Sequence, residues 1–106
     1  VMSKFFDAVN DEIYIADGSA AILVFNRTDN GDVAPKRSIK GANTTISNNQ
    51  GSLLVDNTNN LLYLVDYTNN ALLVFSRTAD GNVAPLRTIS GASTLFSSPW
   101  GIGFCP

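Results

Sequence analysis

Asn30–Ala42 reads NGDVAPKRSIKGA and Asp80–Ala92 reads DGNVAPLRTISGA. Gly31 and Gly81, Pro35 and Pro85, Arg37 and Arg87, Ile39 and Ile89, and Gly41 and Gly91 match at one constant offset of 50. Upstream, ILVFNRT (Ile22–Thr28) matches LLVFSRT (Leu72–Thr78) at that same offset. Earlier still, EIYIAD (Glu12–Asp17) matches LLYLVD (Leu61–Asp66), now offset by 49, and MSKFFD (Met2–Asp7) matches GSLLVD (Gly51–Asp56). Length changes are tolerated in loops and not inside paired strands. The one-residue difference therefore places a loop after Asp17 and after Asp66. The segment GIGFCP (Gly101–Pro106) reads as a third appearance of the first element.

Each unit holds four short segments separated by Gly, Asn, Asp, Thr and Pro. Leu53–Val55, Leu61–Val65 and Ala71–Phe75 are apolar with little alternation, the pattern of strands covered on both faces. Helix is a poor alternative, because no segment reaches ten residues before a breaker and no 3.6-residue period is sustained. The fourth segment, around Lys36–Ile39 and Leu86–Ile89, follows Val-Ala-Pro and suits the edge of a small sheet. Asn30-Gly31 and Asp80-Gly81 are turn signals, with Gly41 and Gly91 releasing the chain from the edge strand. Four antiparallel strands recurring every 50 residues or so is the pattern of a propeller blade. The expected fold is all-β: one domain over 1–106 made of two four-stranded antiparallel blades, approximately 2–50 and 51–100, with an extra inner strand at 101–105.

Composition narrows the function classes. Of 106 residues, 44% are hydrophobic and 15% charged, the balance of a globular domain. The net charge of −2, with scattered Lys and Arg, offers no basic surface for nucleic acid or anionic membrane. No apolar run reaches bilayer length. VMSKFFDAVND lacks the apolar core and cleavage site of a signal peptide, so the chain is either intracellular or has lost a leader, and the compartment stays open. Histidine is absent, which removes the usual general base and zinc ligand. The single cysteine, Cys105, excludes an internal disulfide and reads as a small hydrophobe or incidental thiol.

Pro99-Trp100-Gly101-Ile102, then Leu53–Asp56 (LLVD), Leu62–Asp66 (LYLVD) and Leu72–Phe75 (LLVF), resemble NHL-type repeats of six-bladed β-propellers across essentially the whole chain. The first copy departs from that pattern, with Asn49-Gln50 in place of Pro99-Trp100 and Lys4 in place of Leu53. The Trp-Asp dipeptide of WD40 blades is absent. The resemblance implies a fold and leaves function open, since such propellers host binding proteins and several enzymes. Two blades do not close a ring of four to eight. Either chains assemble, most simply a homo-trimer giving six blades with cyclic symmetry, or the chain is part of a longer propeller. Both Ser3–Phe6 and Ile102–Cys105 then stand as inner strands, nine strands where two blades need eight.

In propellers of this kind, ligands meet the face formed by the loops between second and third strands and by the links between blades. Here those loops are Asp17–Ala21, Asp66–Asn70, Gly41–Gln50 and Gly91–Trp100. Tyr67, Asn69, Asn70, Asn48, Asn49 and Trp100 supply stacking surfaces and amides suited to a polar small molecule, a glycan or a protein. Asn and Asp are also turn residues that bond their own backbone, and that reading stands beside the first. Asp7, Asp56, Asp17 and Asp66 end strands at repeated positions, where turn capping accounts for them. The similar gluconolactonase-like propellers hold a divalent ion, which makes calcium at Asp17 and Asp66 the alternative. Asp11, Glu12, Asp29, Asp32 and Asp80 read as solvated turn charges of the opposite face. Arg27, Arg77, Arg37 and Arg87 read as ties between strand edges, with anion binding as the alternative. Asn26–Thr28 and Asn43–Thr45 satisfy the glycosylation sequon. No phosphate loop or nucleophile elbow is visible. The expectation is a non-catalytic binding or scaffold module without a cofactor. The alternatives are a calcium-dependent hydrolase and an inactive piece of a larger propeller.

Overall fold

A computed structural model describes residues 2–103. Eight strands form in two sets: β1 (Met2–Asp7), β2 (Glu12–Asp17), β3 (Ala21–Asn26) and β4 (Arg37–Lys40), then β5 (Gln50–Asp56), β6 (Leu61–Asp66), β7 (Ala71–Ser76) and β8 (Arg87–Ser90). Each set is one antiparallel four-stranded sheet in chain order. The all-β expectation therefore holds at the level of two four-stranded antiparallel sheets. The indel falls where the offsets place it: three residues join β2 to β3 and four join β6 to β7. Of the inner strand expected at 101–105, Gly101–Gly103 carries no strand, and Phe104 and Cys105 lie outside the described residues. No helix among the described residues is long and apolar enough to cross a membrane.

The two units repeat their backbone as well as their sequence. Gly31 and Gly81 take φ of 82° and 84°, a left-handed turn that favours glycine. Asp11 and Asn60, Ala20 and Asn70, and Thr45 and Leu95 also share positive φ at matched places. Short 3₁₀ turns at Ala42–Thr44 and Ala92–Thr94 follow the edge strands. In each, a threonine hydroxyl (Thr44, Thr94) donates to the preceding glycine carbonyl at 2.7 Å.

One core joins the sheets. Tyr14, Ala16, Ile22, Val24 and Ile39 project from one face of the first sheet onto Leu53, Val55, Leu62, Leu64, Leu73 and Phe75 of the second. Strand alternation decides this assignment, since residues two apart share a face. A buried side chain of this size contributes about 1.5–3 kcal/mol of transfer free energy. The seam is asymmetric: the first sheet gives its even-numbered β2 and β3 positions, and the second gives positions that repeat the other face.

The rim of the seam is polar. Glu12 is buried and corrects the expectation of a solvated turn charge. As the first residue of β2, it faces the second sheet and not the solvent. Its carboxylate accepts from Lys36 Nζ at 2.9 Å, Arg37 at 2.9 Å and Arg77 of the second sheet at 3.3 Å, and from the Tyr14 hydroxyl at 2.7 Å. Burial pushes the Glu12 pKa up, but the bonds from Arg37, Lys36 and Tyr14 outweigh it and hold it at about 2. Burial and the neighbouring Glu12 carboxylate raise the pKa of Tyr14.

A second junction lies at the edge of β4. The Gly81 amide donates to the Ser38 carbonyl at 2.7 Å, and the Lys40 amide donates to the Gly81 carbonyl at 3.2 Å. The Ser38 amide donates to the Asp80 carboxylate at 3.0 Å, and the Asn43 amide to Asn82 Oδ1 at 2.8 Å. Asp80, expected as a solvated charge, thus covers an open strand edge.

A candidate ligand-binding loop face

The turn from Asp66 to Ala71 is built from a buried carboxylate. Asp66 closes β6 and accepts four hydrogen bonds: from the Ser47 amide (2.9 Å) and hydroxyl (2.6 Å), and from the Asn69 amide and side-chain Nδ2, both at 3.1 Å. Ser47 belongs to the link between the sheets, so Asp66 ties that link to the turn. The same tie continues through the Tyr67 amide, which donates to the Asn49 carbonyl at 2.9 Å, and Asn49 Nδ2, which donates to the Thr68 hydroxyl at 2.9 Å. On the far side, Asn70 Oδ1 accepts from the Ser98 amide at 2.7 Å. The turn is therefore held between both inter-unit links.

This framework brings Tyr67 and Trp100 together. Their rings meet edge to face, 5.6 Å between centroids and 88° between planes, in the geometry that aromatic quadrupoles favour. Both remain open to solvent, Tyr67 at 39% and Trp100 at 55%. Asn49, Asn69 and Asn70 share the same surface with much of their hydrogen-bonding capacity already spent on the loops. Asn48 is exposed in the adjoining link.

Two depressions flank the turn. One, of about 200 Å³, is apolar and lined by Val65, Leu72, Phe96, Pro99 and Ile102. The other, of about 340 Å³, is lined by Thr45, Asn69, Ala71, Leu73, Thr88 and Ser90. Its three hydroxyls and one amide offer donors and acceptors to a polar ligand. Thr45, Thr88 and Ser90 were not among the sequence candidates. Thr88 and Ser90 alternate with Arg87 and Ile89 along β8, a period-two signal that places both hydroxyls on one face. Thr45 stands opposite Leu95 in the repeat, a break in symmetry like those at Tyr67 and Trp100.

The other strand-ending carboxylates act as turn caps. Asp7 accepts from the Val9 and Asn10 amides, Asp56 from those of Thr58 and Asn59, and Asp17 from that of Ser19. Asp17 and Asp66, the alternative calcium ligands, end β2 and β6 in different sheets. Among the described residues, no three acidic or cysteine side chains converge as a cation site. Asp7 is buried, and although burial raises its pKa, bonds from the Asn10 and Asn57 side chains and from backbone amides leave it below the usual carboxylate range. Three of the four arginines pair across turns or sheets, Arg27 with Asp11 at 3.0 Å and Arg37 and Arg77 with Glu12. Comparisons with family models, with curated proteins and with solved structures find no match to this chain.

Proposed function

We propose that the chain is a non-catalytic binding and scaffold module whose two sheets are blades of a six-bladed, NHL-like β-propeller, completed by three chains. The ligand face is the loop surface around Tyr67 and Trp100. The observation that carries this reading is the solvent-open Tyr67–Trp100 pair, set on a turn that also presents Asn69 to a polar depression. Exposed aromatic edges beside hydroxyls and amides suit a polar ligand with apolar faces, such as a glycan. The absence of histidine from the sequence and the structural duties of the aspartates favour binding over hydrolysis. A glycan array probed with the full chain and with Tyr67→Ala tests the reading. Signal that the substitution removes supports it, and signal that survives the substitution moves the site elsewhere. A blank array leaves a protein ligand as the remaining form of the reading, to be sought by crosslinking.

A further inference from the structure

The internal seam has a precise complement on the outside of the molecule. The first sheet contributes Phe5, Tyr14, Ala16, Ile22, Val24 and Ile39 to it. Their repeat counterparts in the second sheet are Leu54, Tyr63, Val65, Leu72, Val74 and Ile89, on the face turned away from the first sheet. The seam's other wall is Leu53, Val55, Leu62, Leu64, Leu73 and Phe75. Its counterparts are Lys4, Phe6, Ile13, Ile15, Leu23 and Phe25, on the outer face of the first sheet. Phe6 is 57% exposed there; on the opposite outer face Ile89 is 43% exposed, while Leu54, Val65 and Val74 are buried and Phe96, Pro99 and Ile102 of the same chain lie beside Val65 and Leu72. The stack thus ends in two unlike apolar faces, each carrying one wall of a seam it already builds once.

The polar turn contact of the seam is duplicated as well. The Asp80–Asn82 turn fastens to β4 through Ser38, Lys40 and Asn43. Its counterpart, Asn30–Gly31–Asp32, is exposed and has the same backbone at Gly31, while the β8 edge at Thr88 and Ser90 is exposed too. Asn30 and Asp32 each keep a side-chain oxygen where Asp80 and Asn82 use one. The ion cluster is not duplicated: Leu61 replaces Glu12 and Leu86 replaces Lys36, so the complement of the outer faces is apolar and backbone-polar, with Arg87 having no ion pair among the described residues and Asp11 already held by Arg27 at 3.0 Å.

We infer that a second copy of this chain docks head to tail, the outer face of its first sheet on the outer face of the second sheet and its Asn30–Asp32 turn on the β8 edge. The inference deepens the assembly part of the reading above and is independent of any ligand. A heterologous contact of this kind propagates to a closed ring or an open filament. It also competes with a segment of the chain itself. The Ser52 amide donates to the Trp100 carbonyl at 2.8 Å and the Ile102 amide to the Ser52 hydroxyl at 2.8 Å, beside β5. Ser3 Oγ donates to the Gly51 carbonyl at 2.8 Å in the same way, so the incoming β1 takes the place of Trp100–Ile102. Docking therefore frees Trp100 from its edge contact with Tyr67, and in the assembled form the proposed ligand face rests on Tyr67 and the depression beside Asn69.

Sedimentation velocity on the full chain and two surface variants tests this. Wild type is expected as a multiple of 11.3 kDa, with tryptophan emission changing as concentration rises. Ile89→Asp and Phe6→Asp alter exposed side chains on opposite faces; each alone is expected to be monomeric, and an equimolar mixture is expected to form a one-to-one dimer through the two intact faces. Asn30→Ala with Asp32→Ala is expected to weaken association about 10- to 100-fold, the loss of two hydrogen bonds. Near-ultraviolet circular dichroism confirms that each variant is folded. A monomeric wild type at about 100 µM overturns the inference and the assembly reading together, and leaves ligand binding to be decided by the array. Self-association of either variant alone, or no dimer on mixing, overturns the head-to-tail contact while the assembly reading survives.

Discussion

Arg77 of the second sheet donates to the carboxylate of Glu12 in the first across 3.3 Å, and Glu12 holds three cations and a tyrosine hydroxyl at once. It is the polar rivet of the seam. Removing a buried, paired charge leaves its partners uncompensated, which costs more than the pair itself is worth. Glu12→Gln is expected to lower stability by about 2–4 kcal/mol, read as a reduced urea midpoint with an unchanged slope.

The same residue sets the acid limb of stability. Its carboxyl lies at about 2 in the folded chain against an ordinary 4.5, so the unfolded chain binds the proton more tightly. The Glu12 contribution is complete above pH 4.5 and is lost as the pH falls through 4.5 towards 2, up to about 3 kcal/mol in all. Asp7, also lowered, adds to the loss over the same acid range. Urea titrations between pH 6 and pH 2.5 check this, and Glu12→Gln is expected to flatten most of the slope.

Asp66 and Asp56 occupy equivalent turns after successive strands, yet only Asp66 is buried and bonded to the inter-sheet link. Asp66→Ala is expected to cost about 3 kcal/mol, because it strands the Ser47 and Asn69 donors. Asp56→Ala loses only a solvent-facing turn cap and is expected to cost clearly less than Asp66→Ala. Parallel denaturation curves separate the two.

Gly41 and Gly91 are repeat equivalents, with φ of 128° and 107°. A Cβ on Gly41 collides with the Asn82 side chain, whereas one on Gly91 meets open space. Gly91→Ala is expected to cost about 1 kcal/mol from backbone strain, and Gly41→Ala about 3 kcal/mol, because the Asn82 contact with the Asn43 amide must also give way. Melting temperatures of the two variants check the difference.

Trp100 is the sole tryptophan, and its ring rests edge-on against Tyr67. Tyr67→Ala is expected to shift its emission to the red while changing stability by less than about 1 kcal/mol, since Tyr67 lies at the surface and outside the buried core. A fluorescence spectrum and a thermal melt on one sample read both outcomes.

The strands and turns were legible because they are local. Period, breakers and the shift from an offset of 49 to 50 place all eight strands and the loops after Asp17 and Asp66. Tyr67, Trp100 and the loop asparagines were legible as breaks in the repeat. Glu12 was misread because its charge suggested solvent, although its counterpart Leu61 marks the position as apolar. Gln50 was likewise passed over as a contrast to Trp100; it is fully buried, while Trp100 is exposed.

The repeated stretch itself divides the two kinds of information. By sequence alone, Asn30–Ala42 and Asp80–Ala92 are the same turn, edge strand and exit glycine, because backbone preference depends on neighbours along the chain. Only the tertiary structure makes them different, since one turn meets the edge of β4 and the other meets solvent. Burial and pairing depend on which sheet stands opposite, a contact between residues some 40 positions apart or more. That contact decides which carboxylate is a rivet, which glycine is crowded and which turn is still free to bind.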